Sequence, residues 1–212
     1  MTRDSVRDSD RWTRALPTSE ELYQSGGLQV EDWPHARYVT SLSAQLFHAT
    51  HDLHHMDDRS LRLLERAAFL HNSGMLIETR RHHKHSFRLI KDTQLPDFSE
   101  EERYEIACIA RYHRRALPSK DHPEFASLRR EARRRVSVLA ALLRIADALD
   151  YNHDGRVLGI AFDPARSNDA TWTFVLRVRP LADLDEELEH AHEKADLFEK
   201  VFKRKVHFVM QD

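Results

Sequence analysis

Histidine is the residue type in this chain with the most chemistry to offer. There are 15 among 212 residues, and several fall where helix ends are expected. His35 follows Pro34 at a helix start, and His71-Asn72 lies near the end of a second helix. His82-His83-Lys84-His85 opens a third, and His113 closes a fourth. Asp147 and Asp150 are three apart near the end of a long helix, so they share a face. Rods that converge at their ends can each lend one side chain to a common cavity. Imidazole with carboxylate suits Mn, Fe, Co, Ni or Zn, whereas carboxylates alone suit Mg. A divalent metal held by such a set would polarise a phosphoryl oxygen and acidify a water into a nucleophile. The blander reading is a set of ordinary surface and core histidines. It is preferred for His48, His51, His54, His55, His122, His153, His190, His192 and His207, which belong to no ordered pattern.

The elements that must position these groups are mostly helical. Val39, Leu42, Leu46 and Phe47 recur at three- and four-residue spacing after Pro34. Asp57-Asp58 starts the next helix, with Leu61, Leu64, Ala68 and Phe69 inward and Gly74 as its expected C-terminal glycine. A shorter helix is expected over 83–92. Ser99-Glu100-Glu101-Glu102 opens another, with Ile106, Ile109 and Ala110 inward. The stretch 130–150 carries the stripe Val136, Leu139, Leu142, Leu143 and Ala146. After Gly155 the character changes. Val157–Phe162 and Trp172–Val178 read as strands, 183–202 as helical, and 205–210 as a last strand. The expected fold is therefore mainly α: a helical bundle over 18–155 and a small β-β-α-β appendage over 156–212 packed on it. Residues 1–17 are polar without an apolar period and are expected to form a flexible arm. Pro17-Thr18-Ser19-Glu20-Glu21 reads as a helix start.

Composition narrows the function classes. Only 5 Gly and 7 Pro oppose a sandwich, a propeller or a Gly-rich nucleotide fold. The formal charge of -2 gives no general attraction to nucleic acid or membrane. No apolar run approaches the roughly 18 residues that span a bilayer. The single cysteine, Cys108, excludes internal disulfides and Cys-based zinc sites. With a polar N-terminus it points to the cytoplasm. Cys108 sits beside Ile106 and Ile109 without an activating motif and reads as core.

The order His35, His71-Asn72 and Asp147, in HARYV, AAFLHNSG and LLRIADALD, resembles the signature of the HD superfamily of metal-dependent phosphohydrolases. The blocks AAFLHNSGMLI, HHKHSFRLI, IARYHRR, LAALLRIADALDYNHDGRV and KADLFEKVF sharpen the likeness. They resemble the C-terminal HD-type domain of the exopolyphosphatase and guanosine pentaphosphate phosphatase (Ppx/GppA) family, over about residues 18–210. The resemblance implies a helical HD-type domain and a divalent metal (Mn, Fe, Co, Ni, Zn or Mg) held by His35, His71, Asn72 and Asp147. Two departures bear on activity. The family's known active site lies in an actin-like half with Gly-rich phosphate loops, which 5 glycines do not supply. The Asp of the HD pair is Asn72 here, which offers one neutral carbonyl oxygen, so a weakened metal site is expected. Loss of even an orienting partner costs about 10- to 100-fold in metal affinity.

Basic residues surround these motifs. Between 111 and 135 nine Lys or Arg stand against three acids. Guanidinium forks match phosphate oxygens, and Lys and His add charge. Lys84, His85, Arg111, His113 and Arg114 are the candidates to bind phosphate or complete the metal shell. The run from Arg129 to Arg135 fits that purpose or an ion-paired face equally well. Residues 183–200 hold eight acids against two bases and are the natural partner for such a face, within one subunit or across a homodimer. The implied ligand is a nucleotide, an alarmone or polyphosphate. Nucleic acid is disfavoured because aromatic residues scarcely interleave with the basic ones. Two functions stay open: a metal-dependent phosphohydrolase, or a catalytically degenerate module that binds polyphosphate, nucleotide or a partner protein without hydrolysis.

Overall fold

The computed structural model describes residues 27–211. The arm expected over 1–17 and the helix start at Pro17–Glu21 lie outside them. The body is helical: α1 Trp33–Ala49, the single turn α2 His51–His54, α3 Asp58–Leu70, α4 His82–Asp92, α5 Glu100–Arg111, the short α6 Pro123–Ala126 and α7 Arg130–Ala148. Then come β1 Val157–Phe162, β2 Thr171–Val178, α8 Asp185–Lys194, α9 Asp196–Phe202 and β3 Lys205–Met210. A mainly α fold with a small β-containing tail is what the periodicity predicts. The stretch expected as one helix over 183–202 is two, broken at Ala195.

The helix starts are set by local chemistry. The Asp32 side chain accepts from the His35 amide at the start of α1, and Asp57 accepts from Ser60 at the start of α3. Ser99 and Glu102 form a reciprocal capping box on α5. Each satisfies amides that the helix leaves unpaired.

Helix α7 is the axle. Val136, Leu139, Ala140, Ala141, Leu142, Leu143, Ile145 and Ala146 are fully buried, and α7 packs against α1, α3, α5, α8 and α9. Alanines let those neighbours approach, while each buried leucine contributes on the order of 2 kcal/mol. In the sheet, β2 pairs antiparallel with β1 and parallel with β3. The sheet meets α1 through β1, and one apolar core runs from Val30 to Val206. Cys108 is buried in it, and that burial pushes its thiol pKa up. No helix among the described residues is long and apolar enough to cross a membrane.

Gly74 does not terminate a helix. Helix α3 ends at Leu70, and Gly74 lies inside a 3-10 turn, Ser73–Leu76. A Cβ there would fall 2.3 Å from the His82 carbonyl oxygen and 2.5 Å from the Ser86 amide. The glycine is required by the close approach of this turn to α4. Ser86 fastens the contact, donating to His71 O at 2.6 Å and accepting from Gly74 N at 2.9 Å. The His71 turn and the His82 helix are thereby held as one unit.

Candidate metal centre

The helix ends bring His35, His71 and Asp147 together. One ligand atom from each lies within 4.8 Å of the other two. Asp147 Oδ1 is 3.1 Å from His71 Nε2 and 3.5 Å from His35 Nε2. The two imidazoles are 0% and 1% exposed, while the Asp147 side chain is 22% exposed, so solvent reaches the cluster at the carboxylate.

Each imidazole is fixed through its Nδ1. His71 Nδ1–H donates to Ala68 O at 2.6 Å, His82 to Thr79 O at 2.9 Å and His113 to Ala110 O at 2.6 Å. In all three the acceptor is the carbonyl three residues earlier, which can only accept. In His82 and His113 a proton on Nδ1 leaves Nε2 bare, the form that binds metal, whereas His35 and His71 turn Nε2 to Asp147 Oδ1. His35 is held differently: its Nδ1–H meets Asp150 Oδ2 at 2.7 Å. Asp150 lies beyond the end of α7, and its other oxygen accepts from Gly155 N at 3.0 Å. Gly155 has φ 64° there, a conformation that suits glycine. The shared face of Asp147 and Asp150 is therefore used, with Asp147 facing the cluster and Asp150 orienting His35.

His153, read from sequence as an ordinary histidine, stacks on His35 with ring centroids 3.7 Å apart and planes 4° from parallel. Its Nδ1 is 2.7 Å from Asp32 Oδ2, so Asp32 both caps α1 and fixes this ring. His82 is also closer to the centre than its sequence setting indicates. Its Nε2 is 3.2 Å from His113 Nε2, and the His113 ring packs edge-on against His71 at 4.9 Å. With both Nδ1 protons committed to carbonyls, two lone pairs face each other across that gap, and Arg114 Nη1 lies 3.5 Å from His82 Nε2.

The charge states follow from these contacts. Burial lowers the pKa of His35, but hydrogen bonds and charge from Asp147 and Asp150 outweigh it and raise it to about 9. Burial would raise that of Asp147, yet hydrogen bonds from His35 and His71 hold it well below the usual carboxylate range. Burial lowers His82 and His83 to about 4 and holds His113 well below the usual imidazole value. His82 and His113 are thus neutral at physiological pH, and a proton is a poor candidate for any cation between them.

The other expected residues are spread more widely. Asn72 is half-buried, and its side-chain oxygen is buried with no hydrogen-bond partner. Arg114 Nη1 is 3.3 Å from His82 Nδ1. Arg111 is turned to Glu124 as an ion pair. His85 Nε2 meets Glu78 at 3.2 Å, and Lys84 is exposed. Within the chain the 129–135 run turns elsewhere than the acidic 183–200 segment: Arg129 meets Glu101 and Arg135 meets Glu105, both on α5.

The family model Ppx/GppA phosphatase, domain III, matches residues 27–190. A guanosine-5'-triphosphate,3'-diphosphate pyrophosphatase of Aliivibrio fischeri strain MJ11 is 26% identical over 193 residues, covering 88% of this chain and 36% of that protein. The protein of the same description from Pseudoalteromonas translucida is 44% identical over 57 residues, 27% of this chain and 12% of its own length. The chain thus covers 36% of one of these relatives and 12% of the other. With the family model matching most of its length, this chain belongs to the Ppx/GppA phosphatase domain III family.

Proposed function

We propose that this chain is a metal-assisted phosphohydrolase acting on a phosphate-rich nucleotide or on polyphosphate at the cluster of His35, His71 and Asp147. One observation carries the reading: four imidazoles, His35, His71, His82 and His113, each commit Nδ1 to an oxygen and present Nε2 to one region. Buried imidazole nitrogens beside an ionised carboxylate are a donor set for a transition metal, once His35 gives up its proton. The lone pairs of His82 and His113, and the unpartnered oxygen of Asn72, fit the same demand for a cation. When bound, the metal supplies Lewis acidity and a nucleophile at neutral pH.

The chain's own residues do the rest. Asp150 and the stacked His153 fix the His35 ring, and Ser86 fixes the backbone at His71. Arg114 sits beside His82 without a carboxylate partner among the described residues, which suits it to an anion's oxygens. Lys84 and His85 are assigned to the outer shell, while Arg111 shapes it through Glu124.

Elemental analysis of the protein as purified, with metal-supplemented assays on nucleotides, alarmones and polyphosphate, tests this reading. A stoichiometric transition metal and turnover with Mn, Co, Ni, Zn or Mg are expected; neither metal nor turnover would overturn it. Asn72 favours a second reading, a degenerate module. Ligand binding without hydrolysis, indifferent to chelator, would select that one.

A further inference from the structure

Cations that are even partly buried in this protein are nearly all matched. Arg59 pairs with Glu102, Arg111 with Glu124, Arg135 with Glu105 and Arg144 with Asp196. A few half-buried cations stand apart, among them Arg37, whose Nε is buried without a hydrogen-bond partner, and two lie at the candidate centre. Arg114 touches only His82, and Lys194 Nζ makes no hydrogen bond or ion pair among the described residues. An unpaired cation withdrawn from water is costly, so its retention points to a partner that arrives later.

Lys194 is the last residue of α8, and its backbone is tied to the metal-site helices. Arg144, one turn before Asp147 on α7, donates Nε to Lys194 O at 3.4 Å and Nη1 to Tyr112 O at 3.2 Å. Tyr112 precedes His113. One guanidinium thus joins the end of α8 to the turn carrying His113 and Arg114. The field on Lys194 agrees with that placement. Burial lowers its pKa, Asp147 raises it, and Arg144 and Arg114 lower it. Asp147 also acts on Arg114, whose pKa burial lowers. Arg144 thus ties the backbone of Lys194 and the turn carrying Arg114 to the end of α7 that bears Asp147.

We propose that Lys194, together with Arg114, binds the phosphoryl oxygens of the substrate, so that the C-terminal β-β-α-α-β unit supplies part of the substrate site. The ligand class is a chain of phosphoryl groups, whether free or carried on a nucleoside. Such a chain offers several charged oxygens, enough for two cations at once. This rests on the phosphohydrolase reading for the place of the substrate, but it is tested without turnover.

The test is calorimetric titration of inorganic tripolyphosphate into the full chain in the presence of chelator. Wild type, Lys194→Ala and Lys194→Arg are compared, with thermal melts as a control on folding. Loss of one charge-assisted contact predicts about 10- to 100-fold weaker binding in Lys194→Ala. Lys194→Arg should recover most of it, with Tm little changed in both. A nucleoside polyphosphate titrated in parallel separates the sources: equal losses mean the phosphoryl chain alone is read. Unchanged tripolyphosphate affinity in Lys194→Ala, or no binding by wild type, would overturn the proposal. A mere counter-ion to Asp147 behaves differently. Removing it would tighten metal binding and leave tripolyphosphate alone, and that pattern also rejects the proposal. Metal content of the same samples keeps the two readings apart. Tripolyphosphate binding through Lys194 in a chain that holds no metal sinks only the hydrolase. A metal-loaded chain indifferent to Lys194 sinks only this inference.

Discussion

The two ends of α7 carry similar chemistry to opposite ends. About 21 Å of helix separates Arg133 from Asp147, at 1.5 Å per residue. At the first end Arg133 donates to the carbonyls of Ala126 and Leu128, Arg134 to His54 O, and Arg135 makes two 2.7 Å bonds to Glu105. These cations finish what loops and helix ends leave open. At the second end the polar groups exceed their partners. Asn72 Oδ1 and His83 Nδ1 are buried without a hydrogen-bond partner, and Arg114 and Lys194 lack a carboxylate among the described residues. Charge density marked both ends in the sequence. Satisfaction of that charge is what separates a structural end from a ligand-binding one.

The sharpest break comes from removing the one carboxylate both imidazoles share. Asp147→Ala should weaken transition-metal binding on the order of 1000-fold or more, since even orienting partners are worth about 10- to 100-fold. Calorimetry with Zn or Mn measures it; retained affinity would move the centre elsewhere. At the other end, Arg135→Ala leaves Glu105 buried and unpaired. With the guanidinium itself a third exposed, a loss of about 2 kcal/mol in urea unfolding is expected, with metal affinity unchanged. A change in metal affinity there would erase the distinction between the ends.

Protons sharpen the comparison next. His35 is held protonated to about pH 9 by Asp147 and Asp150 against the effect of burial, so a metal taking its Nε2 must displace a proton. Affinity should rise up to tenfold per pH unit from pH 7 and level off near pH 9. Metal-free stability has the reverse sign for this group. Its folded pKa is raised, so its contribution is full below about pH 6.5 and is lost as pH rises through about 9. His82 and His83 are depressed to about 4. Their contribution is full above about pH 6.5 and falls away towards pH 4. Chelated protein should therefore be most stable near pH 6.5 from these groups, and metal should shift that optimum upward in thermal melts.

Periodicity made the fold legible because the apolar positions of α1 and α7 recur at helical spacing, and because the strands are β-branched and aromatic. The limits lay where tertiary contact overrides local signal. Gly74 resembled a helix stop, but the close approach of α4 explains it. His35, His71 and Asp147 were legible because each sits at a helix end in a known order. Asp150 was visible only as a neighbour on one face, since its bond to His35 spans most of the chain. His153 sits in a left-handed turn with φ 55° that no periodicity announces. Lys194 carried no signal at all. It lies in an acidic segment, and only the docking of α8 on α7 brings it near Asp147. Arg111 stood out by charge, yet Glu124 already holds it.

The smallest effect belongs to Asn72, and it is the most diagnostic. Its side chain makes no capping bond to the 3-10 turn it precedes, and its oxygen is buried and unpartnered. If that oxygen serves the centre, Asn72→Asp adds an anionic ligand beside His71, and metal should bind about tenfold tighter. Without metal, the same carboxylate is a buried, unpaired charge near the ionised Asp147, and stability should fall by about 1 kcal/mol. The two effects oppose one another, so melts with and without Mn should shift in opposite directions. Shifts of the same sign would place residue 72 outside the metal shell. The centre would then rest on His35, His71, His82, His113 and Asp147 alone, and the substituted motif would no longer argue for a weakened site.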